Sequence, residues 1–110
     1  MTPIQLAEKL KLKIVSKGDG TSENISGVFC CDLLSIATSK AKAGAAWVTV
    51  ISNVNTIAVA VLAKVSCVII PEGIPVNEEV RQKAEEHGVC LLQSELPAFE
   101  TALGVHELLR

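Results

Sequence analysis

From Gly44 onward, the chain alternates between short apolar runs of strand length and longer runs of helix length, with few residues between them. Runs rich in Val, Ile and Leu are typical of buried strands, and the intervening runs carry apolar residues at helical spacing. The segments are AAWVTVIS (45–52), TIAVAVLAKV (56–65), SCVIIP (66–71), NEEVRQKAEEHG (77–88), VCLLQS (89–94) and LPAFETALGVHELL (96–109). This order predicts βαβ units and therefore a parallel sheet. Either Asn53 or Asn55 can cap the first of these helices, Asn77 can cap the second, and Ser94 or Glu95 with Pro97 starts the last one.

The part of the chain before Gly44 predicts two more strands and two more helices. Thr2 can cap a helix that starts at Pro3, and Asp32 can cap another that stops at Gly44. The predicted elements are a helix over 2–10, strands over 12–16 and 25–32, a helix over 33–44 and a turn over 17–20. Together, the patterns predict one α/β domain over residues 1–110, with an open, mainly parallel sheet and helices on both faces.

Residues 56–65 are apolar at nearly every position. A helix with this pattern is buried on more than one side. In a chain of 110 residues, such burial needs either another element of the same chain or a second subunit. The pattern therefore predicts a homodimer, and the alternative is that the N-terminal helix covers this segment.

Composition and charge exclude several classes of function. Hydrophobic residues make up 49% of the chain and charged residues 20%, which is typical of a folded domain. The net charge is −2, no block of Lys or Arg is present, and aromatic residues are only 3%, so nucleic-acid binding is not expected. The apolar runs are too short to span a bilayer and no secretory leader pattern is present, which predicts a cytoplasmic protein without membrane contact.

The four cysteines show no metal-binding spacing. There is no C-x-x-C pair, and no His lies at the spacing of a metal ligand. We therefore expect reduced thiols that pack as small apolar side chains, with a disulfide or redox role as the alternative. No metal and no cofactor are expected.

Polar residues that directly follow the predicted strands are the candidate ligand site. Loops after parallel strands meet at one edge of the sheet, where ligands of open α/β sheets bind. Helices begin just after these loops, and their free N–H groups suit an anion or a carbonyl oxygen. The candidates are Asp32, Ser52, Asn53, Asn55, Thr56, Glu72, Gly73, Ser94 and Glu95. The competing interpretation is that the Asp, Asn and Ser residues only cap helices.

Catalytic signatures are absent from the sequence. It contains no G-x-x-x-x-G-K-S/T loop, no G-x-G-x-x-G and no G-x-S-x-G. The candidate set contains no Lys or Arg, which argues against phosphoryl transfer. His87 and His106 lie away from any predicted nucleophile. A hydrolase that holds a divalent metal through Asp32, Glu72 and Glu95 is one alternative, and a protein-interaction scaffold is another.

The order of these elements resembles that of the DRTGG domain family over nearly the whole chain. LAEKLKLKIVSKGDG and NISGVFCCDLLS resemble the start of such domains, and AGAAWVTV followed by NTIAVAVLAKVSCVIIPEGIPVNEEVRQKAEEHGVCLLQSELPAFETA resembles their second half. The chain is also similar to the amino-terminal, non-catalytic domain of the histidine-phosphocarrier (HPr) kinase/phosphorylase. The resemblance implies a bacterial or archaeal regulatory domain, nucleotide-sensing in some contexts, that acts on a signalling or metabolic partner. It implies no kinase activity, because that activity lies in a different domain of the HPr enzyme.

The chain departs from the family motifs at three places. The Asp-Arg pair that usually follows the strand ending at Ile51-Ser52-Asn53 is absent. The Thr-Gly-Gly segment is replaced by Pro71-Glu72-Gly73, and the Asp-Thr turn before the last helix is replaced by residues 95–102. The resemblance therefore implies the family's fold with an altered ligand site.

Overall fold

A computed structural model describes residues 1–21 and 24–110 of the chain. These residues form five helices and five strands. In chain order they are α1 (Pro3–Leu10), β1 (Lys13–Ser16), β2 (Gly27–Cys30), α2 (Leu34–Lys40), β3 (Ala45–Val48), α3 (Val54–Ala63), β4 (Cys67–Ile70), α4 (Glu78–Glu86), β5 (Leu91–Gln93) and α5 (Ala98–Leu109). Within the same residues, no helix is both long enough and apolar enough to cross a bilayer.

The strands form one sheet in the order β1-β5-β4-β3-β2. Strands β2, β3, β4 and β5 are parallel to one another. Strand β1 pairs with β5 in the antiparallel direction at the edge of the sheet. The predicted open, mainly parallel sheet is therefore confirmed. The register of the antiparallel pair shifts between Ile14 and Ser16, so this edge of the sheet carries a bulge.

Side chains alternate between two cores, one on each face of the sheet. On one face, Trp47 of β3 packs with residues of α2, α3 and α4, and its indole N–H donates a hydrogen bond to the carbonyl oxygen of Cys31 at 2.9 Å. On the other face, Val48 packs with Leu6 of α1 and Val105 of α5. Helices therefore cover both faces, which explains why β3 and β4 are buried along their whole length.

Helix α3 lies between α2 and α4 on the same face of the sheet. The alternative that the N-terminal helix covers it is wrong, because α1 packs on the opposite face. Ile57 and Ala60 of α3 are buried against the sheet, whereas Val61 and Leu62 are 43% and 72% exposed. The apolar character of this helix is therefore divided between a buried side and an exposed side.

Helix α2 is shorter than the sequence pattern predicts. It begins after Leu33, which makes no side-chain cap, and it ends where Ala41 becomes extended. The predicted cap at Asp32 is wrong, because this carboxylate binds a neighbouring loop instead. Gly44 lies beyond the helix end, where it adopts a positive φ of 82° just before β3.

Three predicted helix starts are confirmed by their hydrogen bonds. Thr2 accepts from the backbone N–H of Gln5 in a capping box before α1, Asn53 caps α3 and Asn77 caps α4. Helix α5 differs from the prediction, because it begins after Pro97 and has no side-chain cap from its own segment.

Candidate functional site

The carboxyl ends of the four parallel strands lie at one edge of the sheet, as βαβ connections require. The loops that follow these strands, together with the first turn of α3, carry all the sequence-predicted site residues. This edge is called the carboxyl rim below, and it comprises Asp32, Ser52, Asn53, Asn55, Thr56, Glu72, Gly73, Ser94 and Glu95.

Asp32 ties the loop after β2 to the loop after β3. Its Oδ1 accepts hydrogen bonds from Thr49 Oγ1 at 3.0 Å and from the backbone N–H of Val50 at 2.9 Å. Thr49 is buried, so the carboxylate supplies a partner to a hydroxyl that lies away from water. The role of Asp32 is thus to hold two strand ends together.

The loop after β3 uses its polar groups to start α3. The side-chain oxygen of Asn53 accepts from the backbone N–H groups of Asn55 at 2.9 Å and Thr56 at 3.2 Å. The hydroxyl of Thr56 donates back to the carbonyl oxygen of Ile51 at 2.7 Å. The Asn55 side chain remains exposed at the rim, where it can offer both a donor and an acceptor.

The loop after β4 turns sharply through two left-handed residues, Glu72 and Gly73, whose φ angles are 65° and 64°. Their backbone N–H groups donate to the carbonyl oxygens of Leu96 at 2.8 Å and Ser94 at 2.9 Å. Glu72 Oε2 accepts from the backbone N–H of Ala98 at 2.8 Å. The turn is therefore joined to the loop after β5 by three hydrogen bonds.

Ser94 and Glu95 have different environments in the loop after β5. Ser94 is buried, and its Oγ lies 2.8 Å from Thr101 Oγ1 and accepts from the backbone N–H of Leu96. Glu95 is exposed, and its carboxylate lies against Gly73, where an added Cβ would meet Oε2 at 2.7 Å. Gly73 thus leaves room for this carboxylate.

The rim therefore presents mainly oxygen acceptors and the carboxamides of two asparagines. Its exposed members are Asp32, Asn53, Asn55, Glu72 and Glu95. Of these, Asp32, Asn53 and Glu72 already accept hydrogen bonds from backbone N–H groups. Across residues 1–21 and 24–110, no three His, Cys, Asp or Glu side chains are grouped so that they could hold a metal ion. The alternative of a metal bound by Asp32, Glu72 and Glu95 thus has no such cluster to support it.

A cleft of about 450 Å³ lies next to the end of β5 and contains two cationic residues that sequence reasoning did not place there. Lys13 and Arg81 line it together with Gln93, the last residue of β5, and Pro75. Lys13 reaches this position because β1 pairs antiparallel with β5, which sets Lys13 opposite Gln93. No local signal in the sequence specifies that pairing, since it joins segments far apart in the chain.

Arg81 is held by two carboxylates of its own helix. Its Nε donates to Glu78 Oε2 at 2.8 Å and its Nη1 to Glu85 Oε1 at 2.6 Å. The hydrogen bonds from Arg81 lower the pKa of Glu78, and the two acceptors raise the pKa of Arg81. The positive charge of Arg81 is thus balanced on α4 itself.

The cysteines are free thiols, as predicted. Cys67 and Cys90 are buried, and burial raises the pKa of both, that of Cys90 to about 12. Cys30 differs because it is exposed on β2. Partial burial, with a smaller contribution from the charge of Asp32, raises its pKa as well.

The two histidines lie on different helices and are both exposed. His87 is the C-cap residue of α4, and it lines a cleft of about 260 Å³ together with Lys83 and with Asn55 of the rim. His106 lies in the last turn of α5.

The fold and the rim define an α/β module with an open sheet and a polar loop edge. The model of the DRTGG domain family matches residues 5–108 of this chain. The chain therefore belongs to the DRTGG domain family. No curated protein matches the chain.

One solved structure similar to this chain contains the CBS and DRTGG domains of the regulatory region of Clostridium perfringens pyrophosphatase, complexed with the activator diadenosine tetraphosphate. The TM-score is 0.71 at 12% sequence identity, and the match covers 94% of this chain and 45% of that one. This chain thus spans less than half the length of the pyrophosphatase chain. At this identity, the likeness shows a shared fold.

Proposed function

We propose that this chain is a non-catalytic regulatory module that senses a small ligand at the carboxyl rim, as one cytoplasmic domain over residues 1–110. The observation that carries the proposal is the family match, which extends over residues 5–108. The pyrophosphatase structure adds support, because there the same fold is part of a regulatory region crystallised with a nucleotide activator. The proposal does not depend on which signalling or metabolic partner the module regulates.

The chemistry of the rim favours the nucleoside part of a nucleotide over its phosphates. The carboxylates of Glu72 and Glu95 can accept hydrogen bonds from ribose hydroxyls, as acidic residues do at the edges of other parallel sheets. The carboxamide of Asn55 can pair with the edge of an adenine base. Phosphate groups would be repelled by the two carboxylates, so they would extend away from the rim toward solvent.

Calorimetric titration with adenosine, AMP, ADP, ATP and diadenosine tetraphosphate tests this proposal. We expect saturable binding in which adenosine retains most of the affinity. Glu95→Gln should weaken it about tenfold, because hydrogen bonds to charged groups contribute about 1.5–3 kcal/mol. Glu107→Gln, which changes an exposed carboxylate on α5, is the matched control. Absence of heat across the whole panel would leave a protein-interaction role as the remaining non-catalytic function.

We also propose that the module is a homodimer formed through α3. Support comes from the exposed side chains of Val61 and Leu62 on a helix that contains no charged residue. Leu33 and Ile36 are also exposed, at the start of the neighbouring helix α2. An apolar surface of this kind is typical of an interface.

Light scattering measures the mass directly. We expect a value near twice the 11.6 kDa of one chain. Leu62→Lys should reduce it to one chain, whereas Phe99→Lys, at an equally exposed apolar position on α5, should not. A wild-type mass of one chain at high concentration would remove the dimer and leave the ligand-sensing proposal intact.

A further inference from the structure

The two outer strands of the sheet differ in how their free edges are protected. Strand β1 carries an exposed lysine, Lys13, and its pairing with β5 is interrupted by the bulge between Ile14 and Ser16. A lysine and a bulge are common devices by which proteins keep an edge strand from pairing with another chain. The β1 edge is thus unsuited to strand addition.

The edge formed by β2 has neither device. Its register with β3 continues without a shift from Gly27 opposite Ala45 to Cys30 opposite Val48, and the strand contains no charge and no proline. The backbone N–H of Cys31, just after the strand, donates to the carbonyl oxygen of Val48 of β3 at 3.4 Å. Because successive residues of a strand bond to alternate sides, the backbone groups of Gly27 and Phe29 face β3, whereas those of Val28 and Cys30 face outward.

A cleft of about 280 Å³ follows this open edge. Residues 26–29 line it along the strand, and Lys40 and Lys42 line it at the end of α2. Among the ion pairs of residues 1–21 and 24–110, none includes either lysine. The edge therefore combines unpaired backbone groups with two uncompensated positive charges.

We propose that the open edge of β2 binds an extended segment of a partner protein, which adds a strand to the sheet and places acidic side chains toward Lys40 and Lys42. In strand addition, backbone hydrogen bonds supply affinity and the flanking side chains supply specificity. The lysines select an acidic partner by charge complementarity. This interaction is independent of ligand sensing at the carboxyl rim and of a dimer through α3.

The first test uses an acetylated and amidated hexapeptide of alternating Val and Glu, titrated into the protein while backbone amide resonances are followed by NMR. We expect the shifts to centre on residues 26–30. Two matched peptides separate the contributions: one has Lys in place of Glu, and the other is N-methylated at every residue so that neither edge can donate backbone hydrogen bonds. Each should bind at least about tenfold more weakly than the parent peptide.

Protein variants give the second test. Val28→Pro removes an outward N–H from this edge strand, where proline is tolerated, and should abolish binding. Val28→Ala is the control, because it changes the same side chain and keeps that N–H. The double variant Lys40→Glu with Lys42→Glu should weaken binding at least about tenfold, whereas Lys9→Glu, in the last turn of α1, should not.

Four results would overturn the proposal. Equal binding of the Lys peptide would show that charge does not select the partner, and equal binding of the N-methylated peptide would show that no strand is added. Shifts confined to other parts of the sheet would place the peptide elsewhere. If the protein without peptide has the mass of a dimer and Val28→Pro reduces it to one chain, the edge is occupied by a second copy. The double lysine variant keeps the test decisive if Val28→Pro fails to fold.

Discussion

The carboxylate of Glu72, just after β4, accepts a hydrogen bond at 2.8 Å from the backbone N–H of Ala98, the first residue of α5. Pro97 precedes this helix and provides no side-chain cap, so a residue from another loop serves in that place. A negative charge at this position also interacts favourably with the helix dipole. Glu72 thus links the loop after β4 to the first residue of α5.

Replacing Glu72 should separate this capping contribution from backbone strain. Glu72→Ala keeps the left-handed backbone but loses the cap, so we expect a loss of about 1 kcal/mol in the free energy of unfolding. Glu72→Gly loses the same cap but relieves a conformation that costs a non-glycine residue about 1 kcal/mol, so its net change should be close to zero. Urea denaturation followed by circular dichroism measures both values.

The order of these two variants is the decisive result. If Glu72→Gly were as destabilising as Glu72→Ala, the positive φ of 65° would not be a source of strain. Glu79→Ala, at an exposed position of α4 that makes no hydrogen bond to another loop, serves as the control for loss of a surface carboxylate.

The close contact of Gly18 with the start of β5 predicts a large effect of a small substitution. Gly18 has a φ of 47°, and an added Cβ would lie 2.5 Å from the carbonyl oxygen of Gly88 and from the carbonyl carbon of Val89. Because backbone atoms cannot move aside cheaply, Gly18→Ala should reduce the free energy of unfolding by more than about 2 kcal/mol. Gly27→Ala, measured in the same way, should change it by less than about 0.5 kcal/mol. Similar changes in the free energy of unfolding for the two variants would contradict the close contact between Gly18 and the backbone of residues 88–89.

The cysteines should differ in their reactivity with iodoacetamide. The thiolate is the reactive form, and burial raises the pKa of Cys67 and Cys90 while also shielding them. At pH 8 we expect mass spectrometry to find alkylation at Cys30 and none at the two buried thiols until denaturant is added. Because the pKa of Cys30 is raised, its rate should still increase as the pH rises above 8. Modification of Cys67 in the native protein at the rate of Cys30 would contradict the burial.

The sequence was sufficient to predict an element where the local pattern of apolar residues agrees with the burial of that element. Continuous apolar runs predicted β3 and β4, because both faces of these strands are covered by helices. The caps at Asn53 and Asn77 were also predictable, since a capping side chain acts within three residues of itself.

The parts that sequence reasoning missed depend on contacts between distant segments. Asp32 was expected to cap a helix, but it accepts from Thr49 and Val50 of another loop. Lys13 lies near the rim only because β1 pairs antiparallel with β5. Residue type alone does not distinguish a local partner from one across the sheet, so the strands were predictable while the hydrogen bonds of their ends were not. The ends themselves differ as well, because β2 stops at Cys30 rather than at residue 32 and β3 at Val48 rather than at residue 52.

Amide chemical-shift mapping during titration with adenosine and with diadenosine tetraphosphate addresses ligand sensing at the rim. We expect saturable shifts at three parts of the rim, residues 52–56, 72–73 and 94–95, with both ligands. Shifts clustered instead around Ser66 and Gly88, or no shifts at millimolar ligand, would contradict the assignment of this edge as the sensing site.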